Sequence, residues 1–421
     1  MTIPSVRGMK DILPPDSARW TALESAFLAH AARFGFREIR TPILERTDLF
    51  ARAVGETTDI VEKEMYTFTD RSGESLTMRP EGTAPVVRAL LAHRAELGEW
   101  PVRLCYTGPM FRHERPQKGR LRQFHQLGAE LFGTDSPYAD VEVIAFLSGF
   151  LAESGLAAAS LEINSLGDPA CRPRYQQELS AFFSAREQRL CDDCRRRLHR
   201  NPLRVLDCKT DRCKEATADA PSLLDFLCDD CRVHFESVEK GLAAIGVPFS
   251  RNPRMVRGLD YYRRTAFEFV IPGMGSQNTV AAGGRYDGLA EMVGGKESVP
   301  AIGFAIGVER LLMLLGEGEG ARPAAEVFLV ASSPRFLDKA FLWKMELVGK
   351  GIRAEMDYEG RSVKGQFRRA DRSGARAVVV FGEAEAARDA VGFRDMTAGS
   401  QEEVSADEAM RRLAQFSHRG S

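Results

Sequence analysis

The apolar residues of 17–34 recur at helical spacing: Trp20, Leu23, Phe27, Leu28 and Ala31 fall on one side, and Asp16 or Ser17 is placed to cap the first turn. The next segment, FREIRTPILE, alternates like a strand. Strand-like runs follow at EMYTFTD, SLTMRPE and VRLCYTGPMFRHE, with no regular helix between one and the next, as a parallel βαβ sheet would require. The pattern predicts an antiparallel sheet with attached helices and argues against a dinucleotide-binding fold. Residues 168–250 change character, being rich in Cys and Arg and mostly helical in period. Strand patterning returns in TAFEFVIPG, NTVAAGGRYDG and AIGFAIGVERLLML, the last turning into a helix near Val308. Beyond GEGEGARPAA, the short apolar runs EVFLVAS, GIRAEMDY and ARAVVVFG alternate with helical patterns, which predicts a small α/β domain with a largely parallel sheet.

Composition narrows the function without naming it. The 421 residues are 44% hydrophobic and carry a formal net charge of −1, enough for two or three packed domains and too neutral to coat nucleic acid by bulk charge. The first residues, MTIPSVRGMKDILPP, lack the apolar core of a secretory signal, and no later run has the length to span a bilayer, so a cytoplasmic protein with no membrane partner is expected. Against this neutral background, FRHERPQKGRLRQFHQ holds five basic residues and one acid. Period-two spacing puts Arg112 and Glu114 on one face at the end of a strand. After a loop containing Pro116 and Gly119, it aligns Arg122, Phe124, Gln126, Gly128 and Glu130 on one face of the next strand. A guanidinium, an aromatic plate, an amide, a gap and a carboxylate pack a core poorly and suit a small polar ligand. The alternative is the solvated face of an edge hairpin.

Three other clusters carry related chemistry. In TMRPEGT, Arg79, Glu81 and Thr83 alternate, and a carboxylate beside a hydroxyl suits an ammonium group. In RGLDYY, Gly258 permits close approach next to Arg257, with the hydroxyls of Tyr261 and Tyr262 nearby. In GFAIGVERLLML, glycines lead into a helix whose first turn carries Glu309 and Arg310. Taken singly, each is better read as an ordinary turn.

Taken together, these residues resemble the class II aminoacyl-tRNA synthetases, and within them the bacterial-type histidyl-tRNA synthetase family. The resemblance runs over nearly the whole chain: RGMKDILP, TPILE with Pro42 as motif 1, TMRPEGT, FRHERPQKGRLRQFHQLGAELFG as motif 2, the histidine boxes RGLDYY and AGGRYDGL, and GVER as motif 3. It implies an α+β fold, in which an antiparallel catalytic sheet is flanked by helices, with a mostly helical insertion and a C-terminal α/β anticodon-binding domain. The implied division is 1–167 and 251–318 for the two parts of the catalytic core, 168–250 for the insertion, 319–325 for a linker and 326–421 for the anticodon-binding domain. The implied reaction joins L-histidine to ATP as histidyl-adenylate and then esterifies the 3′ end of tRNA(His), by a homodimer using ATP with Mg2+.

The resemblance also implies roles. Arg112 and Arg257 would flank the α-phosphate as the catalytic pair, both also touching histidine. Glu114, Arg120, Phe124 and Arg310 would complete the ATP site, with adenine stacked between Phe124 and Arg310. Glu81, Thr83 and Gln126 would hold the α-amino end of histidine. Glu130 and Tyr262 would take the imidazole nitrogens, with Tyr261 and Tyr286 close by. Arg115, Lys118 and Arg122 would meet the tRNA acceptor stem, the alternative being a solvated loop. In EGRSVKGQFRRADRSGAR the helical spacing of Arg361, Lys364, Arg368 and Arg372, opposite Val363, Phe367 and Ala370, makes a basic stripe suited to RNA or simply a basic amphipathic helix.

The insertion stands outside this pattern. CDDCR occurs twice, giving the pairs Cys191/Cys194 and Cys228/Cys231, and two such pairs can complete a closed tetrahedral zinc site. Residues 195–227 separate the pairs, a longer gap than a zinc ribbon uses, and the family's catalysis needs no zinc, so reduced, partly buried thiols are the competing reading. Two other functions compete for the whole chain: a regulatory relative of the synthetase, which would lack the C-terminal domain and the catalytic arginines, and a ligase that adenylates another acceptor.

Overall fold

The computed structural model describes residues 3–55, 58–116, 119–206, 208, 210–257, 259, 261–271, 278–316 and 325–415, without the side chain of Arg200. Among the features read from the sequence, Lys118, Gly258 and all of the 319–325 linker except Ala325 fall outside these residues. The chain divides into two compact units, Met1–Glu319 and Gly320–Ser421.

The first unit is organised by an eight-stranded sheet in the order Arg37–Glu38, Val102–Phe111, Gln123–Phe132, Ala301–Gly307, Thr279–Arg285, Arg263–Val270, Ser160–Ser165, Phe249–Arg251. The six inner strands pair antiparallel, and only the two short edge strands pair parallel. Alternation along strands Gln123–Phe132, Ala301–Gly307 and Arg263–Val270 gives the sheet two chemically different faces. Leu127, Ala129, Leu131, Ile302, Phe304, Phe267 and Phe269 point into one apolar cluster with Phe27, Ile144, Phe146 and Phe150 from the helices Asp16–Arg33 and Pro137–Glu153. Phe124, Gln126, Gly128 and Glu130 therefore take the opposite face, as their spacing predicts; Arg122, read with them, precedes the strand, which opens at Gln123.

The physical reasons for several departures from the sequence reading are local. FREIRTPILE is not one strand: Arg37–Glu38 and Leu44–Arg46 belong to different sheets, and Pro42, which has no N–H to give a ladder, lies between them. Helix Asp16–Arg33 starts one residue earlier than the cap reading allowed, with Pro15 at the N-cap and no side chain capping it. The alternation of Arg79, Glu81 and Thr83 is not strand alternation. Strand Ser75–Met78 ends first, and Thr83 opens helix Thr83–Ala92, whose exposed N–H groups at Thr83 and Ala84 are taken by the Glu81 carboxylate at 2.7 and 2.9 Å. Arg79 turns away to the Thr41 and Pro109 carbonyls.

The segment after strand Ser160–Ser165 folds into helices Arg172–Ser184, Asp192–Arg200, Asp211–Ala216 and Asp229–Ala244. Its Tyr175, Leu179, Phe183, Leu190 and Val205 share one core cluster with Phe50, Val86, Leu104 and Tyr106 of the flanking chain, so it packs as part of the first unit. The four-cysteine set Cys191, Cys194, Cys228 and Cys231 is not assembled. The residues between the two pairs are themselves folded and bring Cys208 and Cys213 to Cys191 and Cys194, while Cys228 and Cys231 close on Asp168 and Cys171.

The second unit has a five-stranded sheet ordered Ala354–Met356, Val327–Ala331, Ala377–Phe381, Ala390–Asp395, Gln401–Ser405. The first three are parallel as expected from the pattern, and the last two add an antiparallel hairpin that the pattern did not disclose. Helix Val363–Ser373 is capped by Ser362 and stopped at Gly374, and it seats Val363, Phe367 and Ala370 on the sheet with Lys364, Arg368 and Arg372 exposed. Arg361 is not on that helix: it lies in the preceding loop, where its guanidinium is 2.7 Å from the Asp357 carboxylate.

Candidate active site

Where strand Val102–Phe111 ends, Arg112 turns over the polar face of the sheet and donates from Nε to the Pro80 carbonyl at 2.8 Å. Its guanidinium carbon is 5.2 Å from the centre of the Phe124 ring. Glu114, two residues on, pairs with Arg120 at 3.3 Å from across the hairpin. Arg310 enters from helix Val308–Leu314, donating to the Thr279 carbonyl at 2.6 Å. These side chains, with Glu64, line a cavity of about 390 Å³, within the size range of small-molecule sites. Burial, then the Glu114 charge, raises Glu64 above the ordinary carboxylate range. Burial, then repulsion from Arg120, lowers Arg310. Acids and guanidiniums facing one space in this way can hold a polyphosphate and its cation.

A second cavity, of about 270 Å³, is lined by Glu81, Thr83, Gln126, Arg257, Tyr261 and Tyr262, and it shares Arg112 and Arg310 with the first. Residues far apart in the chain meet here only because strands Gln123–Phe132, Ala301–Gly307 and Thr279–Arg285 are neighbours. Arg257 pairs through Nη1 with Glu268, which also accepts from Thr279 Oγ1 at 3.0 Å, and it lies 5.1 Å from the Tyr262 ring centre. Two buried polar atoms on this lining have no partner among the described residues: the donor Arg257 Nε and the acceptor Gln126 Oε1. Buried polar atoms are ordinarily paired, so an unpaired donor and acceptor in one cavity mark where a ligand's complementary groups fit.

Glu130 and Tyr286 do not line this cavity; they lie beneath it. Glu130 is 0% exposed and accepts from Thr83 Oγ1 at 2.8 Å, from Tyr106 OH at 3.4 Å and from Tyr286 OH. Burial pushes its carboxyl up to about 8 against the pull of those hydrogen bonds. Two glycines make the arrangement possible. Tyr106 sits in register opposite Gly128, where a Cβ would run into its ring, and the Glu130 carboxylate lies over Gly303, in register on the other neighbour. The gap read at Gly128 is therefore the seat of Tyr106. Tyr261 and Tyr286 stack edge-on at 5.6 Å and complete the floor.

Sequence reasoning missed Tyr106, Glu268 and Glu64, and gave Glu309 no role. Glu309 accepts from the His125 backbone N–H at 2.9 Å, which fastens the Arg310 helix to the hairpin strand. Tyr106 was discoverable, since it shares a strand face with Leu104 and is the one large polar ring there. Glu268 had no signal beyond alternation. Of the hairpin cations, Arg115 is exposed, and Arg122 turns from the cavities to donate to the Glu114 carbonyl at 3.3 Å. Behind the site Arg285, 0% exposed, makes a two-pronged pair with Asp140 at 3.1 and 2.8 Å. His234 bonds the same carboxylate, anchoring the end of strand Thr279–Arg285 just before Tyr286.

The chain is similar to known proteins over both of its units. Residues 8–311 match the family described as histidyl-tRNA synthetase, and residues 326–416 match the anticodon binding domain family. Histidine–tRNA ligase of Syntrophotalea carbinolica is 50% identical over 404 residues, covering 96% of each chain, and that of Geobacter metallireducens is 49% identical over 405. The crystal structure of apo Staphylococcus aureus histidyl-tRNA synthetase superposes with a TM-score of 0.83 at 36% identity, covering 98% of this chain and 100% of the other. With the antiparallel sheet, the paired cavities and these matches over both units, the chain belongs to the histidyl-tRNA synthetase family, the class II histidine–tRNA ligases.

Proposed function

We propose that the smaller cavity holds L-histidine, that the larger holds ATP as its Mg2+ complex, and that Arg112 and Arg257 meet the α-phosphate where the two cavities join. The unpaired buried atoms Arg257 Nε and Gln126 Oε1 carry this reading, because an amino acid offers a carboxylate to the first and an ammonium to the second. A histidine–tRNA ligase first drives the histidine carboxylate onto the α-phosphate, expelling diphosphate, and then passes the histidyl group to the 3′ end of tRNA(His). Negative charge grows on the α-phosphate oxygens during the first step. Two fixed guanidiniums on one space favour that charge without reorganising, and the Glu268 carboxylate holds one of them in place.

Glu81, Thr83 and Gln126 are assigned to the ammonium group. The imidazole is assigned to Tyr262 and, through the cavity floor, to Glu130 with Tyr261 and Tyr286. Phe124 and Arg310 are assigned to adenine, Glu114 to its edge, and Arg120 with Arg310 to the γ-phosphate. Arg115, Lys118 and Arg122 are assigned to the acceptor stem. Lys364, Arg368 and the loop residue Arg361 are assigned to the anticodon arm, with 326–421 as the anticodon-binding domain and 1–167 with 251–318 as the catalytic core. Among the described residues no helix is long and apolar enough to cross a membrane; a cytoplasmic homodimer is the proposed working form, by analogy with the family.

Histidine-dependent ATP–diphosphate exchange followed by charging of purified tRNA(His) tests the assignment. Arg257→Ala should lower exchange by roughly 10²- to 10³-fold, as loss of a transition-state donor does, with tRNA binding retained. Exchange at the wild-type rate would remove Arg257 from the reaction.

A further inference from the structure

The cysteines of the 168–231 segment are sorted by the fold into two groups that catalysis does not use. Sγ of Cys191, Cys194, Cys208 and Cys213 lie within 4.8 Å of one another, and so do the Sγ atoms of Cys171, Cys228 and Cys231 with a carboxylate oxygen of Asp168. We propose that each group holds one zinc ion, so that the segment is built round two mononuclear sites, one with four thiolate ligands and one with three thiolates and a carboxylate.

The spacing fits a single tetrahedral ion. Zinc–thiolate bonds of roughly 2.3 Å place the sulfurs about 3.8 Å apart at the corners of a tetrahedron. The Cys191 and Cys208 sulfurs are 3.9 Å apart, and the Cys228 sulfur is 3.9 Å from each Asp168 oxygen. An iron–sulfur cluster interposes several atoms between its thiolates and spreads them further. Four sulfurs, or three and a carboxylate, in a compact tetrahedron are the donor sets that zinc takes.

The backbone is arranged for thiolates. Cys191 and Cys228 are the N-cap residues of helices Asp192–Arg200 and Asp229–Ala244, and Cys194 and Cys231 sit in their first turns, at the positive ends of the helix dipoles. The Cys191 N–H donates to Cys213 Sγ and the Cys228 N–H to Cys171 Sγ, each at 3.1 Å, as the outer hydrogen bonds of zinc thiolates do. Cys194, Cys213, Cys231 and Cys171 are at most 2% exposed, which describes closed structural sites without a position for substrate.

The two sites are nested. The Asp168/Cys171 to Cys228/Cys231 site closes the neck of the segment, and the four-thiolate site lies wholly inside the loop so formed. Arg204, between Cys194 and Cys208, lines the larger cavity, so the inner site helps to present a residue of this segment to the ATP pocket.

The test is elemental analysis of the full-length enzyme purified without metal-affinity resin. About two equivalents of zinc per chain are expected, both released by titration with a mercurial. Cys213→Ser and Asp168→Ala should each retain about one. Cobalt replacement should give the strong visible bands of tetrahedral thiolate coordination, with one half of the signal lost in each variant. Less than about a tenth of an equivalent in folded, active enzyme overturns the proposal. So does iron in place of zinc, or a single equivalent in the unaltered chain, and these measurements do not depend on either variant folding.

Discussion

Glu130 allows a prediction in which burial outweighs its hydrogen bonds. Its folded-state pKa of about 8 lies above its ordinary 4.5, so the folded protein keeps a proton that the unfolded chain releases between these values. Stability from this group is therefore full below pH 4.5, is lost as pH rises through the window, and changes no further above about pH 8. Well inside the window the loss approaches about 1.4 kcal/mol per pH unit, and from pH 5 to pH 7 it comes to about 2 to 3 kcal/mol. Glu130→Gln removes the proton and keeps the shape. The Gln Oε1 still accepts from Thr83 and Tyr106, while its amide must donate to Tyr286, which adds an offset independent of pH. Urea unfolding should be followed by tryptophan fluorescence in a Trp343→Phe background, so that Trp20 and Trp100 report the first unit alone. The quantity that matters is the difference between Glu130→Gln and its parent as a function of pH, since every other titrating group cancels in it. That difference should shift in favour of the variant by about 2 to 3 kcal/mol from pH 5 to pH 7. Parallel curves would show that Glu130 is ionised in the folded protein, and the description of the cavity floor would be wrong.

Glu268→Gln, which removes the charge that steadies Arg257, should lower diphosphate exchange by roughly tenfold, less than Arg257→Ala; an equal loss would place Glu268 in contact with substrate. Gly128→Ala drives a methyl into the Tyr106 ring and should raise the KM for histidine by roughly tenfold with a smaller effect on the KM for ATP, measured by exchange at varied substrate. Arg285→Met leaves the fully buried Asp140 without its cation and should cost about 3 to 5 kcal/mol in urea unfolding of the first unit; a change below about 1 kcal/mol would show that His234 alone satisfies Asp140. Lys364→Glu with Arg368→Glu should weaken tRNA(His) binding and flatten its salt dependence while exchange stays at the parent rate, which separates anticodon contact from catalysis.

Local pattern was enough wherever the information repeats along the chain. Period two on the hairpin put Phe124, Gln126 and Glu130 on one face, because a pleated strand leaves them no other choice, and helical spacing placed Lys364 and Arg368 opposite Phe367 for the same reason. Motif order also brought Arg112, Arg257 and Arg310 into one reading before their meeting was seen. Pattern failed where the partner is set by another segment. Tyr106 reaches the floor of the smaller cavity only through its register with Gly128, Glu268 is placed there through Arg257, and Arg361 is held off its helix by Asp357. The cysteines make the same point: the repeated CDDCR motif invited a pairing of like with like, and folding of the residues between sent each pair to different neighbours. Alternation, caps and motif residues are properties of short stretches, so the sequence by itself determined most of the central strands, the polar hairpin face and the family. Register, burial and the raised carboxyl of Glu130 arise from segments packed together, and only the tertiary structure decided them.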